Sequence, residues 1–237
     1  YRQSLSFMTK IAPEPLLFGE INYNLLKKLE TFHLSRGHSL NGLSTYIRAI
    51  RAIYNEGVKR LFAGKYPDGA NPFDMYSVKT TDTRKRALKI DVVQKLFDVP
   101  LEPGTPKWHY RNFWEFMLLA RGMTAAEMAR LKIEHVKNRA IEYVRIKTKN
   151  RRTMHVKIND RMAEILNCYM QGKHPGDFIF PFIKHPENPE LWNDDIANTR
   201  RYIKKAMNAV AAEAGIDANV TTYVARHTWA VAAMHQT

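Results

Sequence analysis

The sequence holds 237 residues, 45% apolar and 25% charged, which is globular composition with enough apolar material for one large domain or two modest ones. Lys and Arg number 37 against 23 Asp and Glu, a formal charge of +14. No apolar run nears the roughly 20 residues that span a bilayer, no secretory leader pattern opens the chain, and the single cysteine, Cys168, excludes a disulfide framework and a cysteine-based zinc site.

The charge is not a tail effect: residues 1–85 carry 13 basic and 7 acidic side chains, and the remainder carries 24 and 16. Distributed positive charge of this size suits a polyanion, most often nucleic acid, although a merely basic soluble protein has the same composition. There is no GxGxxG or GxxxxGKS/T phosphate loop, and the nine histidines show neither HExxH nor another ligand spacing. The expectation is a cytoplasmic protein with no cofactor and no metal.

The chain opens inside a helical pattern without an initiator Met and reads as part of a longer protein. Residues 22–35 predict a helix with Leu25, Leu29 and Phe32 on one face, stopped by Gly37. Ser39 then caps a helix over 40–61. Its Leu43, Ile47, Ile50, Tyr54, Val58 and Leu61 follow helical spacing toward a core. Arg48, Arg51, Asn55 and Lys59 form a second stripe about a right angle away. Such a stripe either lies along a phosphate backbone or is a solvated face. Residues 64–74 (GKYPDGANPFD) have no periodicity and end a first module over 1–74, with Pro72-Phe73 packing back on it. The polar, basic stretch 75–88, with Arg84, Lys85 and Arg86 adjacent, reads as a linker.

A second module over 89–237 begins with helices near 90–97 and 109–121. The break Arg121-Gly122-Met123 follows, and then Thr124-Ala-Ala-Glu127, which has capping-box form. Residues 140–147 and 153–158 predict two strands of a hairpin joined by the basic turn 148–152, which includes Arg151. Helices are expected near 159–171, 195–214 and 222–234. No internal repeat or low-complexity tract is present.

Three places carry chemistry: Arg121 in the break, Lys147 on the hairpin, and Tyr223-Val-Ala-Arg226-His227 near the end. Brought together, two arginine forks and a lysine would clamp a phosphate in transit and protonate a leaving 5′-oxygen, which is what metal-free phosphodiester transfer requires. Taken singly, Arg121 is equally at home decorating a helix C-terminus, and Lys147 on a solvated strand. Sequence order alone does not make them converge.

The stretches RGMTAAEMARLK at 121–132, RIKTKNRR at 145–152 and TTYVARHTWA at 221–230, together with residues 26–61, Asn71-Pro72-Phe73 and Lys85-Arg86-Ala87-Leu88, resemble the tyrosine recombinase (phage integrase) family. The resemblance is especially to integrases of mobile elements in Bacteroidetes-type bacteria. The resemblance implies a mainly α fold with a small β-hairpin or sheet (α+β), a helical core-binding domain preceding a catalytic domain. It implies a site-specific recombinase in which a tyrosine attacks one DNA strand, leaving a 3′-phosphotyrosine and a free 5′-hydroxyl. Its partners would be double-stranded DNA and three further copies, a homotetramer on DNA and a monomer when free, with no membrane.

By position, the family's hairpin lysine matches Lys147 and the second arginine, of an HxxR motif, matches Arg226. The register of the first arginine falls on Thr124, and Arg121, three residues earlier, is expected to supply that guanidinium. Tyr223 stands where the family has the HxxR histidine; a phenol donates a hydrogen bond but accepts a proton poorly, so its expected role is orientation. His227 is expected to pack. The family's nucleophile follows an LGH-like motif further on, which places it beyond Thr237, so this stretch is expected to bind DNA without cutting it. The DNA contacts expected are Arg48, Arg51, Lys59, Arg84, Lys85, Arg86 and Arg151. The alternative is a non-catalytic, sequence-specific DNA-binding accessory protein on the same fold, which the changes at Thr124 and Tyr223 favour and the presence of both Lys147 and Arg226 disfavours. No RNP-like aromatic pattern supports RNA binding.

Overall fold

In the computed structural model, which describes residues 1–12, 15–82, 86–145 and 153–234, the chain divides into two units, Tyr1–Arg84 and Lys85–Thr237. The first is helical. Helices α1 (Arg2–Met8), α2 (Tyr23–Ser35) and α3 (Leu40–Leu61) enclose its core. Asn22 caps α2 through the N–H of Leu25, and Ser39 caps α3 through that of Gly42. Between them Gly37 takes φ +73°, a left-handed stop where no side chain interferes. Leu43, Ile47, Ile50, Tyr54 and Val58 are buried as the spacing predicts. Leu61 is not: it is the last helical residue, lies past the core and is 69% exposed.

The stretch expected as a linker is held, over its first part, by this unit. Tyr76 is buried in the core beside Phe73, Val78 packs against it, and Asn41 both donates to the carbonyl and accepts from the N–H of Thr81. The polarity of 75–82 reflects one exposed side of a strap, since a chain crossing a core needs only alternate side chains to anchor it.

The second unit is built around α5 (Pro106–Leu119), buried almost all round, with Phe113, Trp114, Phe116 and Met117 in the core. Thr105 caps it and Pro106 opens it, so it starts three residues earlier than the apolar spacing suggested. Its buried polar residues find partners on neighbouring elements: Arg161 grips Glu115 with two hydrogen bonds of 2.9 Å and Asn112 with a third, and Arg111 donates through Nη1 to the carbonyls of Phe97 and Val99 at the end of α4 (Ile90–Asp98), its Nε alone left without a partner. Around α5 pack α7 (Asp160–Met170), α8 (Trp192–Glu213) and α9 (Thr222–Met234).

A small antiparallel sheet, in order β1 (Val136–Lys137), β2 (Ala140–Val144) and β3 (Thr153–Lys157), completes the unit. β1 is too short for sequence alternation to reveal. It turns into β2 through Asn138 and Arg139, both at positive φ, the two-residue hairpin turn that matches strand twist. β2 and β3 pair from Ala140 with Lys157 to Val144 with Thr153. Lys147, expected at the end of the first strand, and the turn expected to carry Arg151 lie outside the described residues, as do Arg84 and Lys85. Among the described residues no helix is long and apolar enough to cross a membrane.

Candidate functional site

Helix α5 ends at Leu119, and the chain then reverses into α6 (Ala125–Ala129) within a few residues. Arg121 and Gly122 make the reversal, both in the left-handed region with φ +57° and +66°. For a side chain bearing Cβ this conformation costs about 1 kcal/mol, which the surrounding structure holds in place. Gly122 is required for a second reason. A Cβ built there would lie 3.0 Å from Cα of Arg226 and 3.2 Å from its Cγ, so the turn is pressed against α9 with no room for a side chain.

Helix α9 is fixed independently. Trp114 Nε1 donates to the Thr221 carbonyl at 2.9 Å, Asn208 brackets Val220 through both its N–H and its carbonyl, and the N–H of Leu88 donates to Thr228 Oγ1. Val224, Ala225 and Thr228 are buried, small enough to let the helix sit close to α5. The opposite side carries Tyr223, Arg226 and His227.

The turn that carries Arg121 therefore contacts Arg226 through Gly122. Arg226 Nη1 donates to the Gly122 carbonyl at 3.1 Å, one residue from Arg121. The remaining guanidinium nitrogens of Arg226, and the whole exposed guanidinium of Arg121, have no partner among the described residues. Tyr223 is 58% exposed and stands edge-on to His227, ring centroids 4.5 Å apart. His227 is half-buried against it.

Thr124 is fully engaged as a helix cap. Its Oγ1 accepts from the N–H of Glu127 and donates to Glu127 Oε2, which also accepts the N–H of Thr124, both at 2.8 Å. The sequence pattern marked this box but not what lies behind it. Glu127 is buried, and its Oε1 pairs with Arg145 Nε at 3.3 Å, at the end of β2. Burial and the Glu127 charge together push the phenol of neighbouring Tyr143 up to about 12.

The other candidates separate by how they are used. Arg48 on α3 is exposed and bonds only its own helix, at Ser44 O and Thr45 Oγ1; Lys59 and Arg86 are exposed. Arg51 does not present its guanidinium. Nη2 donates to the carbonyls of Phe73 and Tyr76, the group lies over the Phe73 ring, and Nε is buried. A basic surface that the sequence reading missed lies on α8, where Arg200, Arg201 and Lys204 line a cleft of about 700 Å³ with Thr221 and Thr222. Spacing 200, 201, 204 on one helix was the available signal. Among the described residues no cluster of His, Cys, Asp and Glu could hold a metal ion.

Residues 86–236 match the phage integrase family. No curated relative matches the chain. Among solved structures, a Tn1549 transposon integrase in complex with transposon right end DNA is similar at a TM-score of 0.70 and 14% identity, over 99% of this chain and 79% of that one. A lambda integrase dimer bound to a COC' core site is similar at 0.69 and 14%, over 100% and 81%. A lambda integrase tetramer bound to a Holliday junction is similar at 0.66 and 13%, over 98% of this chain and 65% of that one. At these identities the likeness is one of fold.

Proposed function

Because the chain belongs to the phage integrase family, we propose that it is part of a site-specific DNA recombinase, a cytoplasmic mobile-element integrase that works by transesterification through a 3′-phosphotyrosine. The observation that carries this reading is the wedge of the Arg121-Gly122 turn against Arg226, whose guanidinium is oriented by the Gly122 carbonyl one residue from Arg121. Arg121 and Arg226 hold the non-bridging oxygens of the scissile phosphate and stabilise the charge that builds on them. Lys147 donates its proton to the departing 5′-oxygen. Tyr223, an exposed phenol edge-on to the His227 ring, orients the phosphate, and the attacking tyrosine is sought beyond Thr237. Arg48, Lys59 and Arg86, with Arg84, Lys85 and Arg151, contact the DNA backbone, and the α8 cleft adds Arg200, Arg201 and Lys204. As in the lambda integrase tetramer on its junction, four copies assemble on DNA from free monomers.

One observation favours a second reading, a DNA-binding accessory protein. Thr124, in the register of the family's first arginine, is wholly engaged as a cap. A nicked suicide duplex carrying the element's own junction separates the two. The full-length protein should form a covalent adduct with it, and Arg226→Ala and Arg121→Ala should each lower adduct formation about 10²- to 10³-fold. Salt-sensitive binding with no adduct supports the accessory protein. Wild-type trapping by Arg121→Ala removes Arg121 from the clamp.

A further inference from the structure

The first unit carries a surface that none of the DNA contacts given above uses. A cleft of about 670 Å³ opens between one face of α1, the end of α2 and the start of α3. Five rings follow one another along it. Phe32 lies 6.2 Å from Phe7, and Phe7 is stacked on Tyr46 at 4.7 Å, centroid to centroid. His33 stands edge-on to Phe7 and Tyr46 at 5.5 and 5.8 Å, with His38 5.0 Å from it. Phe7 and His33 are buried and make the floor, whereas Phe32 and Tyr46 are half-buried and His38 is exposed. The floor is fixed from behind: His33 Nε2 bonds the Ser39 carbonyl at 3.0 Å, and a Cβ at Gly42 would lie 3.3 Å from the same nitrogen. The glycine thus lets the first turn of α3 close on the ring.

The charges around the rings separate this cleft from a piece of core. Its charged lining residues, Arg2, Lys10 and Arg36, are all basic and exposed, and none has an ion pair among the described residues. By contrast, Lys27 and Arg60 on α2 and α3 sit with Glu30 and Glu56. Like charges around one opening repel unless an anion joins them. Arg36 also lies over the Phe32 ring, 4.4 Å from its centroid. A guanidinium held this way adds a second flat surface to the aromatic one and keeps its N–H groups for a ligand.

We propose that this cleft binds an unpaired DNA strand, whose bases stack on Tyr46, Phe32 and Arg36 while its phosphates pair with Arg2, Lys10 and Arg36. A duplex meets only half of that chemistry: its phosphates lie outside, but its base faces are stacked on one another within. A single strand offers both at once, and flat side chains interleaved with cations are the surface that holds it. That the strand is DNA rests on the reading given above. That the ligand is an unpaired polynucleotide does not, because it needs only the rings and the cations.

The test irradiates the full-length protein with a thymidine strand of about twelve nucleotides that carries one 5-iodouracil, and maps the adducts by mass spectrometry. Adducts should fall on Phe32, His38 or Tyr46. Excess unmodified strand should suppress them, and neither a blunt duplex nor an abasic strand with the same number of phosphates should do so at equal concentration. In anisotropy titrations of the same strand, Arg36→Ala and Tyr46→Ala should each weaken binding roughly 5- to 100-fold, while Tyr46→Phe, which keeps the flat face, should stay within about twofold of wild type. Duplex binding by all three should stay within about twofold of wild type, which also reports that they fold. Arg2→Gln combined with Lys10→Gln should make the slope of log binding constant against log salt for the single strand shallower by about 1.4. Adducts confined to other residues, equal suppression by the abasic strand, or unchanged strand affinity in Arg36→Ala and Tyr46→Ala overturns the proposal. A uridine RNA of equal length that displaces the strand better than its DNA counterpart overturns the assignment to DNA. The suicide duplex is tested on the same preparation: loss of its adduct alone removes the recombinase and leaves the cleft, whereas loss of base-dependent binding alone removes the cleft.

Discussion

Two arginines, one in each unit, are used in opposite ways. Arg51, in the first, points its guanidinium inward, onto two carbonyls and an aromatic ring, and fastens the strap at 73–76 to α3. Arg226, in the second, gives up one nitrogen to the Gly122 carbonyl and keeps the others open. Both sit on helices, and both looked like phosphate contacts in the sequence. The difference is in what surrounds them. An arginine within reach of unpaired carbonyls at an irregular segment becomes a structural cross-link, whereas one beside a single oriented carbonyl becomes a pre-aimed donor for a ligand.

The sharpest way to break that contrast is at Gly122. Gly122→Ala puts a Cβ against the backbone of Arg226 and into a left-handed residue at the same time. The turn or α9 must move, and with it the relation of Arg121 to Arg226. The expected result is a fall of roughly 10²-fold in single-turnover cleavage, with a stability loss of about 1–2 kcal/mol by denaturant titration. Cleavage at the wild-type rate would show that the close approach of this turn to α9 plays no part in catalysis.

Arg51 supplies the counterpart. Arg51→Ala removes two charge-assisted hydrogen bonds and a ring contact, so it should destabilise the protein by about 2–3 kcal/mol and speed hydrogen exchange over residues 73–78. The salt dependence of DNA binding should stay as it is. Arg51→Lys should recover less than half of the loss, because an ammonium cannot reach both carbonyls in one plane. A normal unfolding midpoint together with a shallower salt dependence would return Arg51 to the DNA surface.

The helices were readable because their signals are local. The caps at Ser39 and Thr124, the stop at Gly37 and the apolar period of α3 all act within a turn or two of the residues that show them; the Thr105 cap is just as local, but the apolar spacing did not reveal it. What could not be read depends on residues far apart in the chain. The Arg51 cross-link reaches 22 and 25 residues ahead, the Gly122–Arg226 contact spans 104, and Glu127 finds Arg145 across a change from helix to strand. The same holds for the strap at 75–82, whose few anchors into the first core are hidden in a polar run. Of the candidate site, Arg121 and Arg226 are neighbours through Gly122; Lys147 and Arg151 fall outside the described residues.

The smallest expected effect tests the exposed stripe of α3. Arg48 bonds only its own helix, at 3.3 and 3.5 Å, through contacts that any long polar side chain on a helix face makes with the preceding turn. Removing it leaves no buried group unpaired, so Arg48→Ala should keep stability within about 0.5 kcal/mol of wild type. If the stripe follows a DNA backbone, the same change takes away one phosphate contact and its released counterion. The slope of log binding constant against log salt should then become shallower by about 0.9, and by about twice that when Lys59→Ala is added. Affinity at a single salt concentration distinguishes these cases poorly, since a slope change of that size alters it only a few-fold over the usual range. Slopes that stay unchanged in both variants would make the stripe a solvated face and leave DNA contacts to the second unit.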